Sequence, residues 1–374
     1  MTSIPVRCPG GEYEVIVESG SLGGIGPRVA AVCDARRVLL VIDQAVVETH
    51  GAVAHDALAT GGFEVHACTI EADEHQKTIE TVASIYQSAL AAGLDRHDAI
   101  VAVGGGLTGD VAGFAAASYL RGIDFVAVPT TLLAMVDASV GGKTGVNLPL
   151  PLPGHAGAGP RLGKNLAGAF WQPRLVLADP EVLATLDHRH RRCGLAECVK
   201  HGLIASEDLL DLIDSNLDAI TSAEPSSIAS LVDHAVRIKV VVVQEDEREQ
   251  GRRAVLNLGH TFAHAIEPIE AMDLLHGEAV SIGLVGAIEL SRNLGRLEGD
   301  WSEGFIQRLK RIGLPTRLPA PVATAELMMR MGYDKKLEGG CHTLVVPHCP
   351  GRVEIVSDVA EDAIVAAWAA LGAD

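Results

Sequence analysis

Three histidines lie close together in the second half of the sequence, in the segments NLGHTFAHAIE and LLHGEAV. His260 and His264 are four residues apart, so a helix would place both imidazoles on one face. His276 follows, and Glu197 in GLAECVKHG could add a carboxylate. Two or three nitrogens with one carboxylate hold a catalytic divalent ion and leave a position open for substrate. A polar patch on a helix surface is the alternative that spacing leaves open.

A glycine-rich segment, GGGLTGDVAG, follows the predicted strand DAIVAVG and precedes a predicted helix. Gly104, Gly106 and Gly109 satisfy the GxGxxG spacing, in which backbone amides and a helix N-terminus cradle a pyrophosphate. A tight strand-to-helix turn without a ligand is the alternative, since this strand is not the first of the chain. Asp43 ends the run VLLVID and is placed to bind a ribose hydroxyl.

Short β-branched runs alternate with helical stretches in the first half of the chain. The runs are VLLVID, FEVHACTI, DAIVAVGGG and DFVAVPTT, and they predict an α/β fold with a mostly parallel sheet covered by helices. From about Pro180 onward, apolar residues recur at helical spacing, as in Leu209 to Leu217 and Ile228 to Val243. This pattern predicts a mainly helical second half. One strand-like segment, HTLVVPH, followed by GRVEIVSD, is expected near the end.

Length and charge limit the classes of function. The 374 residues exceed one ordinary core and predict two domains, 1–179 and 180–374. The net charge of -18 argues against nucleic acid or an anionic membrane as partner. An anionic substrate would need cations gathered in a cleft. The N-terminus lacks the basic start and apolar core of a secretory signal, so we expect a cytosolic protein.

Cysteine usage supports that location. The seven cysteines form an odd set without a CxxC pair, which favours reduced thiols over disulfides or a cysteine zinc site. Cys198 neighbours Glu197, yet adjacent residues on a helix face different directions, so packing is its expected role. Residues 148–162, LPLPLPGHAGAGPRL, predict a loop, a lid or a linker, with a tolerated surface insertion as the alternative.

The motifs, taken in order over roughly residues 35–360, resemble the 3-dehydroquinate synthases. They are GGGLTGDVAGF, YLRGIDFVAVPTTLLAMVDASVGGKTGVN, GKNLAGAFWQPRLVLADPEVLATL, GLAECVKHG, DEREQGRRAVLNLGHTFAHAIE, LLHGEAV and DKKLEGG. The resemblance implies an N-terminal Rossmann-like NAD-binding domain, a C-terminal helical metal-binding domain and an active site between them. It also implies one divalent ion, zinc or cobalt, and a homodimer.

The resemblance also implies roles for individual residues. The metal ligands would be Glu197, His260 and His276, while His264 would contact substrate or relay a proton. The NAD-binding residues would be Asp43, Glu74, Lys77, Gly105, Gly106, Asp110, Thr130, Thr131, Lys143, Lys164 and Thr185. The substrate-binding and catalytic residues would be Asp137, Lys143, Lys164, Asn165, Lys200, Lys239, Arg253, Asn257, His264 and Lys336. For any one of these lysines alone, a solvated surface charge is the alternative.

The implied reaction converts the anionic sugar-acid phosphate 3-deoxy-D-arabino-heptulosonate 7-phosphate into 3-dehydroquinate and phosphate, a lyase step of aromatic amino acid biosynthesis. It proceeds by transient NAD oxidation, phosphate elimination and intramolecular aldol closure. Arg253 fits two-point recognition of the substrate carboxylate, which lysine does less well. Two departures stand out: Ala263 where the family motif usually has glycine, and the Pro/Gly-rich insertion, which could reposition Lys164 and Asn165.

Three rival functions follow from the same residues. A sister cyclase would act on sedoheptulose 7-phosphate, glucose 6-phosphate or an amino analogue of the substrate. A metal-dependent polyol or glycerol-phosphate dehydrogenase would release NADH. An inactive NAD-binding module would be expected to lose charged residues such as Lys143 or Arg253, and both are present.

Overall fold

The computed structural model describes residues 1–149, 162–332, 337–338 and 341–374. The chain divides into two compact units, Met1–Leu186 with Ile228–Val236 and Asp187–Ser227 with Arg237–Asp374. The domain boundary expected after residue 179 stays a prediction. Lys336 and most of the Pro/Gly-rich segment lie outside the described residues.

The first unit is an α/β unit built on one seven-stranded sheet. Its strands are β1 (Thr2–Cys8), β2 (Gly11–Val17), β3 (Arg37–Asp43), β4 (Glu64–Ile70), β5 (Ala99–Gly104), β6 (Asp124–Pro129) and β9 (Leu175–Ala178). They lie in the order β1-β2-β9-β6-β5-β3-β4. Every pair is parallel except β1 with β2 at the edge. Strand β5 is buried along its whole length, which explains its continuous apolar run AIVAVG.

The described residues of this unit also include four complete helices and a hairpin. The helices are α1 (Ile25–Val32), α2 (Ala52–Thr60), α3 (Ile79–Ala91) and α4 (Gly106–Ser118). The antiparallel hairpin joins β7 (Lys143–Pro149) to β8 (Leu162–Phe170). Each helix that follows a parallel strand returns the chain to the start of the next one, so the carboxyl ends of β3, β5 and β6 share one edge of the sheet.

The second unit is mainly helical. Its helices are α5 (His188–Ala205), α6 (Glu207–Ser215), α7 (Leu217–Thr221), α9 (His260–Ile266), α10 (His276–Asn293), α11 (Ser302–Ile312), α12 (Thr324–Gly332) and α13 (Glu361–Leu371). Helix α8 (Pro225–Glu245) is divided between the two units. Short strand pairs join β10 (Leu337–Glu338) to β11 (Cys341–His342) and β12 (Leu344–Cys349) to β13 (Arg352–Val356). Helix α10 packs against α5, α9 and α13 and is buried along most of its length.

The predicted fold class is confirmed: strands β3 to β6 coincide with the four apolar runs, and the second half is mainly helical. The strand-like segments near the end form the hairpin of β12 and β13. Strands β1, β2, β7, β8 and β9 and the short pair of β10 and β11 were not predicted. The cysteines whose side chains the structure describes are free thiols, and Cys198 is buried. Among the described residues, no helix combines the length and apolarity needed to cross a lipid bilayer.

Candidate functional site

Glu197, His260 and His276 meet in the second unit, although three different helices carry them. Their ligand atoms all lie within 4.8 Å of one another. Oε1 of Glu197 is 3.7 Å from Nε2 of His260 and 3.5 Å from Nε2 of His276. The Glu197 side chain is fully buried, and a buried carboxylate needs a cation or hydrogen-bond donors. The structure therefore brings the three predicted ligands to one point.

Glycines let the three helices approach closely enough for this meeting. A methyl group at Gly277 would lie 2.2 Å from the carbonyl oxygen and 2.4 Å from Cα of Cys193, so the start of α10 touches the backbone of α5. A methyl group at Gly283 would lie 2.1 Å from the carbonyl oxygen of Gly259. Gly259 has φ +79°, a conformation that favours glycine, and it directly precedes His260. These backbone contacts fix the first turns of α9 and α10, where His260 and His276 lie.

Each proposed ligand also has a contact at the polar atom that does not face the other two ligands. Nζ of Lys200 contacts Oε2 of Glu197, which leaves Oε1 facing the two imidazoles. Nδ1 of His260 lies 3.3 Å from the carbonyl oxygen of Leu258, and Nδ1 of His276 lies 3.3 Å from Oε1 of Glu267. A ring that donates through Nδ1 presents the lone pair of Nε2, which is the form of histidine that binds metals. This arrangement fits a divalent ion on Oε1 and the two Nε2 atoms.

The charges around the cluster act differently on the two imidazoles. Burial and the nearby Lys200 ammonium hold the pKa of His260 well below its ordinary value. Burial alone would lower the pKa of His276, but the charge of Glu267 and hydrogen bonds to Glu197 and Glu267 raise it to about 10. The two carboxylates thus favour a positive charge on the His276 ring. A divalent cation that binds Nε2 can replace the proton that this nitrogen carries when the ring is charged.

A salt bridge ties the start of α10 to the start of α5. Arg189 donates to both carboxylate oxygens of Glu278 at 2.8 Å and also to the backbone carbonyl of Asp273. Glu278 in turn accepts from the backbone N–H of Leu275 at 2.9 Å and so caps the helix that begins at His276. The pKa of Glu278, which burial alone would raise, is lowered by these contacts with Arg189 and Leu275. The loop before His276 is therefore held at Asp273 by Arg189 and at Leu275 by Glu278.

His264 lies beside the cluster. Its ring centroid is 5.5 Å from that of His260, and the two rings are nearly perpendicular. The i, i+4 spacing does bring these imidazoles together, but the ligand atom that converges with those of Glu197 and His260 belongs to His276 and not to His264. The His264 side chain is half-buried and stays a candidate for contact with substrate.

The other proposed substrate residues of this unit are mostly buried. Lys200 and Arg253 are each 1% exposed, and Lys239 is 5% exposed. Arg253 lies in the 3-10 turn Arg252–Asn257 and donates from Nη1 to the carbonyl of Glu247. Asn257 donates from Nδ2 to the Glu249 carboxylate. Buried cations held by defined partners are pre-organised, in contrast to solvated surface charges.

The glycine-rich turn lies at the carboxyl end of β5 in the first unit. The N–H of Thr130 donates to the carbonyl of Gly104 at 2.8 Å. A methyl group at Gly104 would lie 2.5 Å from Oγ1 of Thr108 and 2.9 Å from Cβ of Asp43, so packing requires this glycine. A methyl group at Gly109 would meet no described heavy atom within 4 Å. Internal packing therefore does not explain Gly109, and the first turn of α4 has open space beside it.

A network around Lys77 gathers three of the cofactor candidates, Glu74, Lys77 and Asp110. Nζ of Lys77, which is 5% exposed, donates to Asp110 and to Asn165 at 2.6 Å each. Asn147 donates to Oε1 of Glu74 at 2.7 Å and accepts from the N–H of Asn165 at 2.9 Å. Asn165 adopts φ +51°, and this strain is tolerated where hydrogen bonds hold the residue. The network joins the turn before α3, helix α4 and the hairpin of β7 and β8.

The remaining candidates of the first unit are placed as follows. Nζ of Lys164 lies 3.6 Å from Oε1 of Glu74. Oγ1 of Thr185 is 2.7 Å from Nε2 of His50, a ring whose pKa is lowered by burial. Oγ1 of Thr131 accepts from the N–H of Ala134 at 3.2 Å, at the start of the turn that carries Asp137. Gly105 caps α4 directly before Gly106, and Lys143 is an exposed residue at the start of β7.

The first unit fits a dinucleotide at this edge of the sheet. Asp43 ends β3, the glycine turn follows β5 and Thr130 follows β6, and these three parallel strands are neighbours in the sheet. Ligands of open α/β sheets bind outside such carboxyl ends. The N-terminus of the 13-residue helix α4 lies there too and favours a pyrophosphate. A Rossmann-type nucleotide site is thus consistent with the strand order.

Sequence reasoning missed several residues that shape these sites. They are His50, Asn147, Arg189, Glu267, Gly277 and Glu278. Glu267 could have been found, since it lies three residues after His264 in the same motif. The others act through contacts between distant parts of the chain, which no local spacing reveals.

Comparison with known proteins adds independent information. Residues 67–193 match the 3-dehydroquinate synthase N-terminal family model, and residues 194–337 match the C-terminal one. A 3-dehydroquinate synthase of Caulobacter vibrioides (strain NA1000 / CB15N) is 43% identical in an alignment 371 residues long, which covers 97% of this chain and 97% of that protein.

Two solved structures are similar to nearly the whole chain. A 2-epi-5-epi-valiolone synthase from Streptomyces hygroscopicus subsp. jinggangensis 5008, with NAD+ and Zn2+ bound, is 31% identical, with a TM-score of 0.85 and 98% of each chain covered. A 2-deoxy-scyllo-inosose synthase complexed with carbaglucose-6-phosphate, NAD+ and Co2+ is 26% identical, with a TM-score of 0.86 over 97% of this chain and 98% of that one.

Proposed function

Because the chain belongs to the 3-dehydroquinate synthase family, we propose that it converts 3-deoxy-D-arabino-heptulosonate 7-phosphate into 3-dehydroquinate and phosphate. This reaction would make it a carbon–oxygen lyase of aromatic amino acid biosynthesis. The observation that carries the proposal is the meeting of Glu197, His260 and the partly exposed His276, next to the buried cation Lys200. A sugar-acid phosphate is anionic, so it needs such cations in a chain whose net charge is -18.

The proposed cofactors are NAD and one divalent ion, zinc or cobalt. Two similar structures bind NAD+ with Zn2+ or Co2+, and the donor set here, two imidazoles and a carboxylate, suits either ion. Glu197, His260 and His276 would hold the ion. NAD would lie against Asp43, the glycine turn and the Lys77 network. When bound, the ion supplies Lewis acidity toward a substrate hydroxyl, and NAD supplies reversible hydride acceptance.

The chain's own residues have to bind the two anionic ends of the substrate and move protons. Arg253 offers a planar pair of donors for the carboxylate. Lys164, Asn165, Lys239 and His264 would bind the phosphate end, and His264 can donate a proton to the leaving group. Lys200 and Asn257 would stabilise negative charge that develops on the substrate oxygens. When these contacts hold the carbon chain of the substrate in a folded conformation, that carbon chain is close to the geometry that ring closure requires.

Three further expectations stay predictions. We propose that residues 1–179 bind the nucleotide and residues 180–374 the metal, that two copies of the chain pair, and that the protein is cytosolic. Asp137, Lys143 and Lys336 also remain proposed contacts of the substrate.

The direct test uses the purified protein with zinc, NAD and 3-deoxy-D-arabino-heptulosonate 7-phosphate. We expect free phosphate and the cyclic product in equal amounts, while absorbance at the nicotinamide band shows no net NADH. Parallel reactions receive sedoheptulose 7-phosphate, glucose 6-phosphate and the amino analogue. Turnover of one of these alone would move the chain to a sister cyclase activity, and NADH accumulation without phosphate release would indicate a dehydrogenase.

Replacing Arg253 by lysine tests the carboxylate assignment. Lysine keeps the charge but loses the planar pair of donors, so kcat/KM should fall by about 30- to 100-fold, which corresponds to about 2–3 kcal/mol for a charged hydrogen-bond pair. The matched control is Arg252→Lys, since the neighbouring Arg252 side chain is 59% exposed. Equal steady-state kinetics for the two variants would remove Arg253 from the proposed substrate contacts.

A further inference from the structure

Glu267 contacts the candidate metal centre without belonging to the proposed ligands. It lies at the carboxyl end of α9, and its side chain is 12% exposed. Oε1 of Glu267 lies 3.3 Å from Nδ1 of His276, and Nε2 of the same ring lies 3.5 Å from Oε1 of Glu197. The two carboxylates thus hold the His276 ring at its opposite nitrogens.

We propose that Glu267 is a positioning residue that orients His276 toward the divalent ion and strengthens the binding of that ion. This inference rests on the proposed function, because it takes His276 as a ligand. A carboxylate only accepts hydrogen bonds, so it requires N–H at Nδ1 and leaves the lone pair of Nε2 for the ion. A carboxylate partner also makes the imidazole a better electron donor, and such partners raise metal affinity.

The two proposed histidine ligands differ in this respect. The partner of Nδ1 in His260 is the backbone carbonyl of Leu258, which carries no net charge. The partner in His276 is the carboxylate of Glu267. A side-chain substitution cannot remove a backbone carbonyl. The effect of a hydrogen-bond partner at Nδ1 of a histidine ligand can therefore be tested at Glu267.

The charges of the cluster support the same conclusion. Lys200 and Glu197 form a fully buried ion pair, and together they bring no net charge to the centre. Glu267 adds one negative charge next to His276. A divalent ion in a partly buried place is stabilised by such a charge. Removing the negative charge of Glu267 should weaken metal binding even where the hydrogen bond to Nδ1 of His276 is kept.

The test measures zinc affinity and the cobalt absorption spectrum for Glu267→Ala and Glu267→Gln. Alanine removes both hydrogen bond and charge, and we expect the zinc Kd to rise by about 10- to 100-fold. Glutamine keeps an acceptor oxygen and nearly the same volume, so a smaller rise, about tenfold, is expected. The visible bands of the cobalt-loaded protein should shift in both variants, because the ring is held less well. The control is Glu270→Gln, which changes an exposed carboxylate nearby.

His276→Ala separates a failure of this inference from a failure of the proposed site. If His276→Ala loses zinc while Glu267→Ala binds it like the unchanged protein with the same cobalt spectrum, the role of Glu267 is overturned. If His276→Ala itself keeps full zinc affinity, the proposed ligand set is wrong. Circular dichroism of the metal-free variants checks folding, and if Glu267→Ala does not fold, Glu267→Gln decides by the same criteria.

Discussion

Replacing Glu197 by glutamine is expected to abolish tight zinc binding and to lower phosphate release by at least about 1,000-fold, which corresponds to about 4 kcal/mol of lost transition-state stabilisation. Glutamine keeps the shape of the side chain but has no charge to offer an ion. The same change leaves Lys200, which is 1% exposed, without its carboxylate. Breaking a buried ion pair at one end costs about 3–5 kcal/mol, so the metal-free variant should also unfold at lower denaturant concentration.

The measurement combines zinc content after dialysis, phosphate release with substrate and NAD, and urea unfolding of the metal-free protein. The matched control is Glu207→Gln, which removes an exposed carboxylate from the first turn of α6. We expect the control to bind zinc and to turn over like the unchanged protein. A Glu197→Gln protein that keeps one zinc per chain and full turnover would refute the role given to this carboxylate.

A single methyl group at Gly277 is expected to separate the helices that carry two of the ligands. The added carbon would lie 2.2, 2.4 and 2.6 Å from the carbonyl oxygen, Cα and carbonyl carbon of Cys193. All three are backbone atoms, which cannot turn aside as a flexible side chain can. Gly277→Ala should therefore lower the free energy of unfolding by about 1–3 kcal/mol or more and weaken zinc binding, because α10 must move away from α5.

Gly304→Ala provides the matched control for this change. Gly304 lies in helix α11, and a methyl group there would meet no described heavy atom within 4 Å. Alanine is the better helix former, so this variant should be stabilised by about 0.4–1 kcal/mol. Urea unfolding measures the free energy of unfolding of both variants, and zinc titration measures their zinc affinity. If Gly277→Ala matched Gly304→Ala in both measurements, the close contact between α5 and α10 would not be what brings His276 to Glu197.

The parts of the fold that follow local patterns were predictable from the sequence. Strand β5 is a fully buried parallel strand and reads as an unbroken apolar run, and the glycines after it mark the turn into α4. Strand β9, in contrast, has only four residues, and a short apolar run is ambiguous between strand and helix. The hairpin of β7 and β8 is rich in glycine and polar residues, so it lacks a strong period-two pattern.

The candidate metal centre was predictable only in part. Helical spacing places His260 and His264 side by side, as the structure has them. Spacing cannot decide which of several histidines shares an ion, because that depends on how α10 packs against α9 and α5. The close contact of Gly277 with Cys193 fixes how α10 packs against α5, and these two residues are far apart in the sequence. The resemblance to a family, and not the periodicity, therefore selected His276.

The most direct test of this account is an anomalous difference map at the zinc edge from crystals of the zinc-loaded protein. We predict one strong peak per chain, bonded to a carboxylate oxygen of Glu197 and to Nε2 of His260 and His276 at about 2.0–2.2 Å. Nδ1 of His276 should keep its contact with Glu267. A peak bound by other side chains, or no peak at all in a folded and zinc-saturated protein, would contradict the account.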